Sequence, residues 1–258
     1  MKKIIAVFAA LVLVFAFAAC GTTVVENTTP VDTTAAETTA AETVAETTAE
    51  VVEDTVKVMS YAEYAAADLD AEVVIEAYVQ ATQSWWDNKI TVYTQDADGA
   101  YFIYEMACSE EDAAKLVPGT KIRVSGFKGA WAGEVEVMDA TFEFVEGADT
   151  FVAEAMDATA LLGTDELINH QNKLATFKGM TVEAIEFKGG QSGDDIYVTL
   201  SLNGASYKFC VERYLTGPET EVYAAVSALN AGDVVDVTGF IYWYEGVNTH
   251  ITAVSAAQ

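Results

Sequence analysis

Hydrophobic and polar residues alternate along most of the chain after residue 57, and a period of two is typical of β-strands. In the first half the alternation predicts strands over 72–79, 89–95, 101–106, 121–127 and 134–144. In the second half it predicts strands over 173–185, 195–202, 205–211, 234–243 and 247–254. Asp98-Gly99 and Asn203-Gly204 are two-residue hairpin signals between the second and third strands of each half.

Short helical stretches interrupt this pattern at similar places in both halves. Helices are predicted over 61–68, 109–116 and 220–229, and Ser60 and Ser109 are suitable N-caps for the first two. A helix is also predicted within 151–168, where it would match the one at 61–68. Each half is therefore predicted to contain three strands, a helix and two more strands.

A glycine-containing motif occurs twice, 113 positions apart. Pro118–Phe127 corresponds to Ala231–Phe240, and the same offset pairs Trp131 with Tyr244. Five of the 15 positions from 119 to 133 are identical to their partners: Gly119, Val124, Gly126, Phe127 and Gly133. The second copy carries about 11 more residues between its third strand and the motif. The body of the chain is thus predicted to be a tandem repeat.

The order of elements in each repeat resembles the OB-fold, a five-stranded Greek-key barrel with its helix between the third and fourth strands. The resemblance implies an all-β protein with short helices, in which two tandem five-stranded OB-fold-like barrels follow a disordered linker. The predicted domains are residues 57–147 and 157–258, with a connection over 148–156.

The N-terminus begins with Met1-Lys2-Lys3 and an apolar run over 4–19, which is typical of a signal peptide. The run ends in Ala18-Ala19-Cys20, which resembles the bacterial lipobox, although Phe17 stands where leucine is usual. The resemblance implies cleavage after residue 19 and acylation of Cys20, with palmitate among the lipids. It also implies a lipid anchor on the extracytoplasmic face of the cell membrane, at the cell surface or in the periplasm. The alternative is an ordinary secretory signal with a chance cysteine.

Residues 20–56 are predicted to be the lipidated cysteine followed by a disordered spacer. Residues 21–56 contain 12 Thr, 6 Ala and 8 acidic residues, and no Lys, Arg or aromatic residue. Such a composition buries no core. As a flexible coil it would span roughly 30–36 Å on average.

Charge and cysteine content narrow the choice of partners. Residues 57–258 contain 11 basic and 32 acidic side chains, a net charge of −21. Nucleic-acid sites need clustered Lys and Arg, so nucleic acid is predicted to be an improbable partner. Cys108 and Cys210 have no metal-ligand spacing, and two buried thiols are favoured over a disulfide.

OB-folds typically bind ligands on the face of strands two and three, flanked by the loops that join strands one to two and four to five. Aromatic residues fall in or beside these loops in both repeats, and flat rings suit stacking on a ligand. The candidate ligand-binding residues are Trp85, Trp86, Trp131, Tyr242, Trp243 and Tyr244. Trp131 and Tyr244 have a favoured alternative as structural plugs of the barrel ends. Adjacent strand residues point to opposite sides, so at least one of Trp85 and Trp86 should be exposed.

No catalytic or metal-binding constellation is recognisable in the sequence. His170 and His250 are the only histidines, and Asp96-Ala97-Asp98-Gly99 lacks the later positions of a calcium loop. No cofactor and no enzymatic activity are therefore predicted. The favoured hypothesis is a surface-tethered lipoprotein that binds a glycan, a peptide or a protein. Its alternatives are an extracytoplasmic nucleic-acid-binding OB-fold protein and a purely structural envelope lipoprotein.

The lipobox hypothesis predicts that Cys20→Ala releases the protein from membranes, because the acceptor for the lipid is lost. Membrane and soluble fractions of cells that express the wild type and the variant would be compared by immunoblotting. Complete retention of the variant in the membrane fraction would refute lipid attachment at this position.

Overall fold

A computed structural model describes residues 57–257. The predictions for the signal peptide, Cys20 and the linker lie outside the described residues. Among residues 57–257, no helix has both the length and the apolar character needed to cross a membrane. Residues 57–257 belong to one compact unit that contains both repeats.

The first repeat is a closed five-stranded barrel. Helix α1 (Tyr61–Ala66) precedes β1 (Glu72–Thr82), β2 (Lys89–Gln95) and β3 (Ala100–Ala107), and α2 (Glu110–Ala113) leads to β4 (Lys121–Trp131) and β5 (Glu134–Phe144). The strands close in the order β1-β2-β3-β5-β4, with β3 and β5 parallel. The Ser60 and Ser109 side chains accept hydrogen bonds from the first turns of α1 and α2. The predicted OB-fold topology is confirmed for this domain.

The second repeat keeps the same strand order in a six-stranded sheet. Its elements are β6 (Met156–Asp157), β7 (Leu174–Phe187), β8 (Ile196–Leu202), β9 (Ala205–Val211), α3 (Glu221–Ser227), β10 (Val234–Phe240) and β11 (His250–Ala256). The sheet runs β10-β11-β9-β8-β7-β6, and β10 pairs with β7 as well. One parallel residue pair, His250 with Cys210, joins β11 to β9. Among residues 57–257, a clearly closed five-stranded barrel is therefore shown for the first domain alone.

The helix predicted within 151–168 is wrong. The segment forms β6, parallel to β7, and short 3-10 turns at Thr159–Leu161 and Leu167–His170. Gly163, at φ +78°, lies between these turns and ends any helical run. Pairing with the long β7 therefore prevails over local helix propensity.

Each domain has its own apolar core, and a third cluster joins the two. Tyr93 and Phe102 of the barrel pack with Phe240 of β10, and all three side chains are buried. The Tyr93 and Phe240 rings stack with centroids 4.5 Å apart. Cys108 and Cys210 are free and buried, which confirms the predicted thiols.

The repeated glycine has a structural cause in both domains. Gly126 and Gly239 both lie at a register shift, the first between β4 and β5 and the second between β10 and β11. A Cβ on Gly126 would lie 2.7 Å from the carbonyl oxygen of Met138, and one on Gly239 would overlap that of His250. At these two bulges the backbone of the neighbouring strand lies so close to the glycine that no side chain can be accommodated.

Gly239→Ala and Gly126→Ala are expected to destabilise the protein by about 1–3 kcal/mol each, because a methyl group must displace a strand. Urea unfolding followed by circular dichroism would measure the loss. Ser125→Ala, next to Gly126, is the control and should stay within about 0.5 kcal/mol of the wild type. Equal stability of the glycine variants and the control would contradict the close approach.

Candidate ligand-binding cleft

A cleft of about 630 Å³ opens where β2 and β3 of the barrel meet the loop that follows β9. It lies on the strand face and beside the first connecting loop, where OB-folds commonly bind ligands. Its lining residues come from both domains: Gln83, Ser84, Trp85, Trp86, Lys89, Ile90, Thr91, Tyr104, Glu105, Arg213, Tyr214, Pro218 and Glu219.

A tight turn presents Trp86 at the mouth of this cleft. Asp87 and Asn88 both have positive φ, 48° and 61°, as a type I′ turn requires. Trp86 and Lys89 exchange two backbone hydrogen bonds of 3.0 and 2.9 Å across the turn. The Trp86 side chain is 71% exposed, whereas Trp85 is half-buried and its indole N–H donates to the Cys108 carbonyl at 2.9 Å. The prediction that one of the two is exposed is confirmed.

A bulge in β3 brings a second ring to the cleft. Tyr104 and Glu105 together oppose Thr91 of β2, and Glu105 has φ +44°. The Glu105 backbone N–H donates to Thr91 Oγ1 at 3.1 Å, which holds the bulge in place. Tyr104 is 44% exposed, and its hydroxyl donates to Glu105 Oε1 at 3.1 Å. The ring position is therefore set by the backbone rather than by a flexible loop.

The opposite wall comes from the second domain. Tyr214 is 52% exposed, and its carbonyl accepts a 2.8 Å hydrogen bond from the Ser84 N–H of the barrel. The Glu212 carboxylate accepts from the N–H groups of Tyr214 and Leu215 at 3.0 and 2.8 Å. Burial raises the pKa of Glu212 to about 7. This wall belongs to the extra segment of the second repeat, so the insertion completes a site on the first.

The charges at the cleft are balanced, unlike those of the whole protein. Lys89 and Arg213 are the basic side chains of the lining, and Glu105 and Glu219 are the acidic ones. Lys89 pairs with Glu105 at 2.7 Å. The Arg213 guanidinium lies 5.0 Å from the centre of the Tyr214 ring and 3.7 Å from the Asp194 carboxylate. The lining is thus neutral within a body of charge −21.

A buried hydrogen-bond chain supports the cleft from below. Gln83 Nε2 donates to the Tyr93 hydroxyl at 3.2 Å, and that hydroxyl lies 2.6 Å from Nδ1 of His250 in the second domain. Burial lowers the pKa of His250 to about 3, so its ring is neutral at pH 7. A neutral Nδ1 can accept the Tyr93 proton. The chain therefore links a residue of the cleft to the docking of the two domains.

The six candidate aromatic residues do not form one surface. Trp85 and Trp86 line the cleft, whereas Trp131 and Tyr244 are 63% and 51% exposed at two adjoining hairpin tips outside its lining. A 2.7 Å hydrogen bond from the Glu245 N–H to the Ala132 carbonyl joins these tips.

Two candidates predicted in open loops lie instead at the contact between the domains. The Tyr242 ring packs edge-on against Phe102 of the barrel, with ring centroids 5.3 Å apart, and the Trp243 indole packs over Gly133. The cleft also contains Tyr104, Arg213 and Tyr214, which are not among the residues predicted from the sequence. The length difference between the two repeats was the one available signal for the last two.

No family model and no curated protein matches the chain. Similar solved structures include a murine DNA-binding protein bound with double-stranded DNA, at 12% identity and a TM-score of 0.37, covering 72% of this chain and 96% of that chain. The Ifi202 HINa domain in complex with 20-bp double-stranded DNA has 12% identity and a TM-score of 0.35, with coverages of 73% and 100%. A replication protein A heterotrimer bound to single-stranded DNA has 12% identity and a TM-score of 0.31, with coverages of 72% and 49%.

These neighbours correct the ranking of ligands made from the sequence. From the sequence, a glycan, a peptide or a protein ranks first and nucleic acid is improbable, whereas the solved structures named above hold DNA. TM-scores of 0.31 to 0.37 indicate no more than a related arrangement of strands. What this chain binds must therefore follow from its own residues.

Tyr93→Phe is expected to cost about 1–3 kcal/mol of unfolding free energy, because it leaves Nδ1 of the buried His250 without its hydrogen-bond partner. Urea unfolding monitored by fluorescence would measure the change. Tyr104→Phe removes an exposed hydroxyl and should change the unfolding free energy by less than about 0.5 kcal/mol. Equal stabilities of the two variants would show that the hydrogen-bond chain of Gln83, Tyr93 and His250 does not support the cleft.

Proposed function

We propose that this chain is an OB-fold protein that binds single-stranded nucleic acid by stacking bases on the aromatic rings of the cleft. The observation that carries the proposal is the arrangement of Trp86, Tyr104 and Tyr214. These three exposed rings, each on a different structural element, surround one cleft on the ligand-binding face of an OB barrel.

Base stacking on an aromatic side chain is worth about 1–3 kcal/mol per base and does not depend on base identity. Its strength requires that the ring be held in place before the ligand arrives. A type I′ turn holds Trp86, a bulge holds Tyr104, and the Glu212 carboxylate holds the loop of Tyr214. The Arg213 guanidinium lies over the Tyr214 ring and offers a further planar, cationic surface.

The electrostatics favour a short single strand over a duplex. Duplex recognition relies on many Lys and Arg contacts to phosphates, and the cleft offers two basic side chains, Lys89 and Arg213. A single strand presents unstacked bases and can be held chiefly by its rings. If both cations contact phosphates, the logarithm of affinity falls with the logarithm of salt concentration with a slope of about −1.4 or shallower.

We further propose that the protein acts at the extracytoplasmic face of a membrane, anchored through Cys20. The support is the apolar run and the Ala18-Ala19-Cys20 motif of the sequence. A Thr-rich segment of 36 residues would then separate the anchor from the binding domains. The nucleic acid in question would be extracellular or periplasmic.

The proposal predicts that short single-stranded oligonucleotides quench tryptophan fluorescence of the full chain and that Trp86→Ala weakens binding about tenfold or more, because one stacking platform is lost. Eight-nucleotide DNA and RNA strands, with the matching duplex for comparison, would be titrated at several salt concentrations. Trp131→Ala is the matched control, since it removes an equally exposed indole outside the cleft. Its affinity should equal that of the wild type.

Three results would contradict the proposal. One is the absence of binding to any single strand at low and at high salt. Another is equal weakening by Trp86→Ala and Trp131→Ala, which would place the strand elsewhere. The third is tighter binding of the duplex with a steep salt dependence, which would indicate contacts to phosphates rather than stacking.

A further inference from the structure

A second feature of the molecule lies outside the cleft, at the contact between the two hairpin tips. Glu134 is the first residue of β5, directly after the tip that carries Trp131, and its side chain is fully buried. Its Oε2 accepts a 2.8 Å hydrogen bond from the Trp243 backbone N–H of the other domain. Its Oε1 is buried and has no hydrogen-bond partner among the described residues.

The surroundings of this carboxyl group contain no compensating charge. Among residues 57–257, no basic side chain acts on it, and the nearby acidic group is Glu136 of the same strand. The other titratable groups that sense its charge are tyrosines of three further elements: Tyr64 of α1, Tyr93 of β2 and Tyr242 after β10. A buried carboxylate in such a place is strongly disfavoured relative to the neutral acid.

A neighbouring side chain, that of Asn172, also has a buried oxygen without a hydrogen-bond partner in the described part of the chain. The Asn172 side chain of the second domain adjoins the Glu134 carboxyl group, and its Nδ2 donates to the Val135 carbonyl at 3.3 Å. Its Oδ1 is buried and, like Glu134 Oε1, lacks a partner among the described residues. Two acceptor oxygens on adjoining side chains can both be satisfied by one proton, since protonation turns Glu134 into a donor.

We propose that Glu134 holds a proton at the contact between the two domains and that this proton makes their docking dependent on pH. The neutral acid supports the contact, and loss of the proton places an uncompensated charge inside it. The charge would also disturb two neighbouring contacts between the domains. In these, Gln171 Nε2 donates to the Gly133 carbonyl at 2.6 Å and the Glu245 N–H donates to the Ala132 carbonyl. This inference does not depend on the ligand of the cleft.

The direction of the pH effect follows from the raised pKa of Glu134. Burial raises the pKa of Glu134 from 4.5 to about 8. The docked state therefore binds the proton more tightly than the unfolded chain. Its stabilisation is complete below pH 4.5 and is lost as the pH rises towards 8. Between pH 4.5 and pH 8, ionisation of Glu134 raises the equilibrium constant for undocking or unfolding about tenfold for each pH unit.

The test uses the full chain and Glu134→Gln, which supplies a permanent N–H donor in place of the proton. Carbon-13 NMR of labelled glutamate would follow the Glu134 carboxyl carbon, with a titration midpoint expected near 8 rather than 4.5. Urea unfolding at pH 5 to 8 should show the wild type losing stability relative to the variant, by about tenfold in equilibrium constant per pH unit. Glu245→Gln makes the same change of formal charge on the exposed tip of the neighbouring hairpin, and it should keep the pH dependence of the wild type.

A titration midpoint below 5 would overturn the proposal without the need for any variant. So would parallel pH profiles of the wild type and Glu134→Gln. A midpoint that moves on addition of Na⁺, K⁺ or Ca²⁺, or of a chelator, would assign a metal ion rather than a proton to the contact. If Glu134→Gln does not fold, the NMR titration of the wild type decides the question alone.

Discussion

The cleft depends on the docking of the closed barrel against the sheet of the second domain, and the packing of Tyr93 against Phe240 is at the centre of that contact. Offset aromatic pairs contribute about 0.5–1.5 kcal/mol beyond the area they bury. The Tyr93 hydroxyl would be costly to bury alone, but Gln83 and His250 satisfy it. One side chain thereby contacts the cleft, the barrel and the second domain. Any ligand surface that draws on both domains requires this contact to hold.

The molecule combines strong overall repulsion of polyanions with a locally neutral cleft. The charge of the body acts over roughly 8 Å in physiological salt, whereas stacking requires direct contact. A strand approaching this protein would gain little from electrostatic steering and would be retained by its flat faces. Such a site discriminates through shape and accessibility of the bases, and slow association would be its kinetic signature.

Local patterns in the sequence predict most of the fold. Alternation gives the strands, Asp98-Gly99 and Asn203-Gly204 mark the hairpins, and the 113-residue repeat identifies Gly126 and Gly239. The features that cannot be predicted are those set by contacts distant in sequence. The segment 151–168 has helical propensity, but Met156–Asp157 pair with β7 and Gly163 separates the two 3-10 turns that follow.

The site is predicted less well for the same physical reason. Tyr242 and Trp243 lie in a loop, and loops are usually exposed, but docking of the other domain buries them in part. Tyr104 reaches the cleft through a bulge that alternation alone does not show. Net charge also misleads, because it sums over the surface and does not resolve a neutral patch around the rings.

The insertion that carries Tyr214 has a consequence for the independence of the two repeats. Once the second copy supplies a wall to the face of the first, neither can be deleted or transplanted alone with the cleft intact. Each repeat therefore needs the other to present the cleft, and the two form one structural unit rather than two exchangeable modules.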